Sequence, residues 1–191
     1  MIKTIILGSG NLSNELNKKI IGSKIYNVKD FLKKINSINN NKKINLIINS
    51  FYSAVKLKKI NSYETFVNKS IFEIAKILDL LNPKIIDKII YTSSSSVYGL
   101  KDIKINLKDN SNRNIYAAFK FSTEFLIKNF CEKNHISFAI CRLFNMYGGN
   151  DKFSVILKLQ TAIKKNQKII IFNNGKSIRD YIHIDDVVTV Y

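Results

Sequence analysis

The sequence predicts an α/β fold, a doubly wound parallel sheet, from three observations: short apolar runs recur along the chain, helix-like stretches separate them, and small or polar residues follow each run. KTIILG at 3–8, NLIINS at 45–50, DKIIYTSS at 87–94 and SFAICRLF at 137–144 have the length and β-branched content of buried strands, and KIYNV at 24–28 is a weaker fifth. Between them lie LSNELNKKI at 12–20, ETFVNKSIFEIAKILDLL at 64–81 and a stretch from Asn114 to about residue 133, each with helical spacing of apolar residues. Strands alternating with helices imply right-handed crossovers and a sheet covered on both faces. The polar stretch from 100 to 113 reads as a loop, and the only proline is Pro83.

Composition narrows the class. A chain of 191 residues, 46% hydrophobic and 24% charged, is long enough for one domain with a sizeable core and part of another. No apolar run reaches the roughly 18 residues of a membrane span, and MIKTIILGSG lacks a signal-peptide cleavage site, so a cytoplasmic protein with no membrane partner is expected. The formal charge of +17 raises a nucleic-acid reading, but only Arg113, Arg142 and Arg179 among 31 basic residues are arginines. The lysines are spread among abundant Ile and Asn, a pattern of base composition rather than of a binding stripe. No nucleic-acid partner is expected; a duplex binder would instead show steeply salt-dependent affinity. Cys131, Cys141, His135 and His183 have no metal-ligand spacing, so neither a metal nor a disulfide is expected.

In a doubly wound sheet, ligands bind beyond the carboxyl ends of the strands, so the residues after each strand carry the chemistry. GSGN follows the first, SFY the third, SSSSVYG the fourth and NMYGG the fifth. Gly8, Gly10 and Ser13 form a G-x-G-x-x-S turn, in which glycines let a pyrophosphate approach the backbone at a helix N-terminus. Gly8, Gly10, Asn11 and Leu12 are therefore cofactor candidates, and an ordinary tight turn is the alternative. In NIYAAFKFSTE, Tyr116 and Lys120 lie four apart on one helical face. Tyr52 and Lys56 share that spacing in YSAVK, so spacing alone does not select a pair.

The order of motifs does. The glycine turn, SSSSVYG, YAAFK, RLFNMYGG and NNGKSIRDYIHIDDVV at 173–188 together resemble the extended short-chain dehydrogenase/reductases, specifically the nucleotide-sugar epimerase/dehydratase family. The resemblance covers essentially the whole chain. It implies a Rossmann-like NAD(P)-binding domain over 1–150 and the start of a substrate-binding lobe over 151–191, incomplete because relatives continue for on the order of one hundred further residues. It also implies a catalytic set of Tyr116 as acid/base, Lys120 as its helper and nicotinamide-ribose ligand, and Ser94 orienting the substrate oxygen. A phenol of pKa about 10 needs nearby positive charge to act as a base at neutral pH. Arg179 and Asn145 match positions that contact the diphosphate of a nucleotide-diphosphate sugar, with Ser94 and Ser95 beside the sugar. A salt bridge from Arg179 to Asp180 is the bland alternative. Asp185 and Asp186 read as helix-capping residues.

The family's dehydratases carry Asp-Glu after the catalytic hydroxyl residue; here Ser95 and Ser96 stand there, which disfavours dehydration. Both cysteines lie away from the place used by 3,5-epimerase-reductases. The resemblance leaves a 4-epimerase with retained NAD or a 4-ketoreductase consuming NAD(P)H, and a non-catalytic dinucleotide-binding protein as the other class. Asp30 stands near where an acidic residue holds the adenosine ribose, which favours NAD with NADP open; Asp30 equally suits the start of a helix. Relatives often dimerise through the helix bearing YAAFK, so a homodimer is expected. Departures from the family are Leu7 in place of a glycine, Phe51 and Tyr52 in place of small residues, Phe119 before the lysine, Gly149 in place of proline, and a short segment between the second and third strands.

Overall fold

The computed structural model describes residues 3–40, 43–49, 63–100 and 112–191. Phe51, Tyr52, Lys56 and most of the 100–113 stretch lie outside the described residues. Five strands, β1 (Lys3–Leu7), β2 (Lys24–Tyr26), β3 (Ile44–Ile48), β4 (Ile86–Ser94) and β5 (Ser137–Leu143), pair in parallel in the order β2-β1-β3-β4-β5. The doubly wound parallel sheet expected from the sequence is the architecture observed, and the five expected strands are the five found. Among the described residues a single helix joins β2 to β3.

Alternation along the strands assigns the two faces. On one face Ile5, Leu7, Leu46, Ile48, Ile89 and Tyr91 meet Phe31 and Ile35 of α2 (Val28–Asn39) and Ile127 of α5 (Asn112–Lys133). The same cluster takes Ile74 and Ile77 from a helical run over 63–80, built of α3 (Tyr63–Val67), a π-turn at Asn68–Phe72 and α4 (Glu73–Leu80). On the other face Ile6 and Ile47 meet Leu12 and Leu16 of α1 (Asn11–Lys19) and Ile184 and Val187 of α7 (Ile184–Val190). Each such fully buried Ile or Leu contributes about 1.5–3 kcal/mol.

A second, two-stranded parallel sheet pairs β6 (Asn145–Tyr147) with β7 (Tyr181–His183). Between them α6 (Val155–Lys164) starts at Ser154, whose hydroxyl accepts from the Leu157 N–H. At α7 the cap is His183, whose ring accepts from the Asp185 N–H at 3.3 Å; Asp185 and Asp186 occupy the first turn, where they complement the helix dipole. The expectation that the aspartates themselves cap the helix is corrected: the cap is His183, two positions before Asp185.

Candidate active site

The strand order reverses between β1 and β3, and the candidate residues gather at the carboxyl ends of the strands around that switch point. After β1, Gly8 has φ +117°, a backbone region that side chains rarely adopt, so glycine is required for the turn. Gly10 has an extended backbone and caps α1 without a side-chain hydrogen bond, and a Cβ there would meet nothing within 4 Å. The first turn of α1 carries no acidic residue. Its leading N–H groups therefore face open space with favourable polarity for an anion. Leu12 turns its side chain into the core and leaves only its backbone for a ligand. Asn11 donates its amide to the Gly148 carbonyl at 2.9 Å and accepts from the Asn150 N–H at 2.9 Å, which ties the glycine turn to the segment after β6.

At the end of β4, Ser94 and Tyr116 are hydrogen-bonded. The Ser94 oxygen also accepts from the Ser96 hydroxyl at 2.9 Å and the Ser96 N–H at 3.2 Å. A hydroxyl has two lone pairs and one hydrogen, so these contacts leave the Ser94 O–H to donate to the phenol oxygen. Burial pushes the Tyr116 phenol up to about 12, and the Ser94 bond opposes that rise. One turn along α5, Lys120 is 4% exposed and donates to the Thr92 carbonyl at 2.7 Å, with Nζ 4.8 Å from the centroid of the Tyr91 ring. Burial pulls Lys120 down to about 7, and the charge of Glu124 opposes that fall. The structure thus brings Ser94 and Tyr116 together, with Lys120 one turn along α5 donating to the Thr92 carbonyl.

Two clefts open here. One, of about 1000 Å³, is lined by Ser9 and Asn11 of the glycine turn together with Asn145, Phe153 and Arg179. Its neighbour, of about 840 Å³, is lined by Ser94, Ser95, Ser96, Tyr98, Asn145 and Arg179. Asn145 and Arg179 stand on both. The Asn145 amide donates to the Asp180 carbonyl at 2.8 Å, and the Arg179 guanidinium donates to the Ile178 carbonyl at 2.7 Å, so Arg179 is engaged with backbone rather than with the Asp180 carboxylate. Asp30 sits in the first turn of α2, where its N–H donates to the Asn27 side chain and its carboxylate accepts from the Asn27 amide at 2.6 Å. Asn27 thus caps α2 and pairs side chain to side chain with Asp30, and the carboxylate remains on the surface.

Residues that sequence reasoning missed hold the site together. Thr92 bonds Asn49, and its hydroxyl lies 2.6 Å from the Tyr191 hydroxyl, while the Asn49 amide donates to Ser13 at 3.1 Å. This chain crosses from α7 through β4 and β3 to α1. Burial pushes the Tyr191 phenol well above its ordinary value, so it stays a neutral hydroxyl. Among the described residues no group of three or more His, Cys, Asp or Glu could hold a metal, and no helix is long and apolar enough to cross a membrane. Cys131 and Cys141 are free thiols.

The fold is that of a doubly wound α/β protein with two clefts at the carboxyl ends of its strands. The chain belongs to the NAD dependent epimerase/dehydratase family, whose model matches residues 12–191. It is 29% identical over 147 residues to the protein CapI of Staphylococcus aureus, which covers 75% of this chain and 44% of that one. It is 27% identical over 158 residues to a dTDP-D-glucose 4,6-dehydratase of Dictyostelium discoideum, over 75% of this chain and 34% of that one. The chain therefore spans about a third to a half of the length of these curated relatives. In fold it is similar to a UDP-N-acetylglucosamine 4-epimerase from Methanobrevibacter ruminantium, at a TM-score of 0.77 and 20% identity, over 98% of this chain and 71% of that one. A UDP-glucuronic acid 4-epimerase mutant from Bacillus cereus, solved with UDP-4-deoxy-4-fluoro-glucuronic acid and NAD, gives a TM-score of 0.77 at 19% identity, over 99% and 72% of the two chains.

Proposed function

We propose that this protein acts on a nucleotide-diphosphate sugar at C4 by oxidation and reduction, as an NAD-dependent 4-epimerase or 4-ketoreductase of the cytoplasm. The observation that carries this reading is the Ser94–Tyr116 hydrogen bond beside the cleft that Asn145 and Arg179 share with the glycine turn. The residues fit a dinucleotide: the open space over Gly10, the α1 N-terminus without acidic residues and the surface carboxylate of Asp30 suit its pyrophosphate and adenosine ribose. NAD supplies the hydride acceptor when bound. Tyr116 exchanges a proton with the sugar hydroxyl, Ser94 orients that hydroxyl, and Lys120, one turn along α5 from Tyr116, binds the ribose. Arg179 and Asn145 hold the diphosphate, for which a planar guanidinium is suited. Ser95 and Ser96 give the cleft hydroxyls where a dehydratase needs carboxylates.

In this reading residues 1–150 form the dinucleotide-binding unit and 151–191 begin the sugar-binding lobe. A homodimer is supported by Phe121 and Phe125, exposed and in edge contact at 5.0 Å on the outer face of α5, with exposed Phe72 on the helical run over 63–80. A second reading, a dinucleotide-binding protein without turnover, is favoured by burial pushing the Tyr116 phenol up to about 12, away from the phenolate that a base requires. Calorimetric titration with NADH and NADPH, followed by assay on a panel of nucleotide sugars, separates the two. Saturable cofactor binding with turnover supports the enzyme; binding with no turnover supports the second reading.

A further inference from the structure

Glu124 lies on α5 four residues beyond Lys120 and eight beyond Tyr116, on the same helical face. Its side chain is 4% exposed, and an ionised carboxylate so placed needs full compensation. Three donors supply it: Arg142 Nε at 3.0 Å, Arg142 Nη2 at 2.6 Å and the Ser93 hydroxyl at 2.5 Å. Arg142 comes from β5, and its guanidinium lies 4.8 Å from the centroid of the Tyr98 ring in the turn that follows Ser94. One carboxylate therefore joins the helix bearing Tyr116 and Lys120 to β4 next to Ser94, to β5 and to the serine turn. Stability does not account for it, because a buried ion pair is often no better than a well-packed apolar group of the same volume. What a bidentate pair provides is fixed geometry.

We propose that Glu124 is the positioning residue of this site, holding the Lys120 ammonium on α5 in register with the Ser94 turn through Arg142 and Ser93. Among the described residues, Lys120 faces Tyr91 and the Thr92 carbonyl of β4, with Glu124 and Tyr116 one turn either side on its own helix, while Arg142 of β5 faces Glu124. Glu124 is the anion among them, and its charge opposes the burial that pulls Lys120 down. Glu124→Gln keeps the shape and removes the charge. The midpoint of Lys120 deprotonation is read by NMR of the side-chain Nζ in lysine-labelled protein, with Lys120→Met identifying the signal. Glu124→Gln is expected to move that midpoint downward, and Glu124→Asp, which keeps the charge but draws it back by one methylene, to move it less in the same direction. An unmoved midpoint in whichever variant folds, with only the melting temperature lowered, would overturn the proposal by leaving Glu124 a packing residue. The proposal rests on the C4 reading for its meaning, yet the titration needs no turnover. An inactive chain with a shifted midpoint refutes the enzymatic reading alone; an active chain with an unmoved midpoint refutes the role of Glu124 alone.

Discussion

Replacing Lys120 by Met tests whether the site buries an ammonium. Lys120 falls from 10.5 to about 7 on folding because burial disfavours its charged form. Between those values the unfolded chain holds a proton that the folded chain has shed, so folding stability rises with pH across that window. Below pH 7 both states are protonated and the full cost is present, on the order of 5 kcal/mol for a shift of this size. Because Lys120 is 4% exposed, solvent screening does little to reduce it. Between pH 6 and 9 wild type should gain roughly 3 kcal/mol relative to Lys120→Met, or about 8 °C in melting temperature for a chain of this length. Loss of the Thr92 hydrogen bond in the variant adds an offset that does not depend on pH, so the slope carries the test. Denaturant unfolding of both proteins at pH 6, 7, 8 and 9 gives that slope, and the other lysines cancel in the difference. A difference flat in pH would show that Lys120 titrates alike in both states and would refute its placement against the Thr92 carbonyl.

Three other outcomes are expected. Tyr116→Phe removes the phenol oxygen that Ser94 contacts, so turnover should fall by about 10²–10⁴-fold with NADH affinity kept; retained turnover would remove Tyr116 from the chemistry. Arg179→Ala should weaken nucleotide-diphosphate-sugar binding by about 10–100-fold in calorimetry, the scale of a charged hydrogen bond, and equal affinities would place the diphosphate elsewhere. Gly149→Pro should lower the melting temperature by an amount equal to about 1–3 kcal/mol, because Gly149 has φ +59° and proline is fixed near −65°; an unchanged melting temperature would mean that this turn is not left-handed.

The fold was legible because its signals are local. Each strand of the five-stranded sheet announced itself as a short apolar run, with observed bounds within one or two residues of the expected ones, whereas the three-residue strands β6 and β7 gave no such run and were not expected. Tyr116 and Lys120 were legible as a pair because helix geometry fixes what lies four residues apart. The support of the site was not. Glu124 and Arg142 are 18 residues apart and Thr92 and Tyr191 are 99 apart, and no spacing rule joins such positions before the chain has folded. Glu124 ends the very stretch that drew attention to Tyr116, so its i+4 relation to Lys120 was available as a signal; the residue that neutralises it was not. The hydrogen bond from the Lys120 ammonium to the Thr92 carbonyl is likewise a tertiary fact.

Three of the departures from the family pattern, at Leu7, Phe119 and Gly149, are answered by their local surroundings. Leu7 replaces a glycine at the end of β1, where it is fully buried in the core, and the tight turn begins one residue later at Gly8 with its positive φ. Phe119 replaces a small residue before Lys120, and its ring packs 4.9 Å from that of Phe66 on α3, which turns bulk into a contact between two helices. Gly149 replaces proline in a left-handed conformation that proline cannot adopt, and a Cβ there would come within 2.9 Å of the Asn11 side chain. The third change bears on the site. A residue with a side chain at 149 would push against Asn11, whose two hydrogen bonds hold the start of α1 to the segment after β6. The glycine therefore lets the turn after β1 and the segment after β6 approach each other closely, beside the cleft that Asn11 and Asn145 both line.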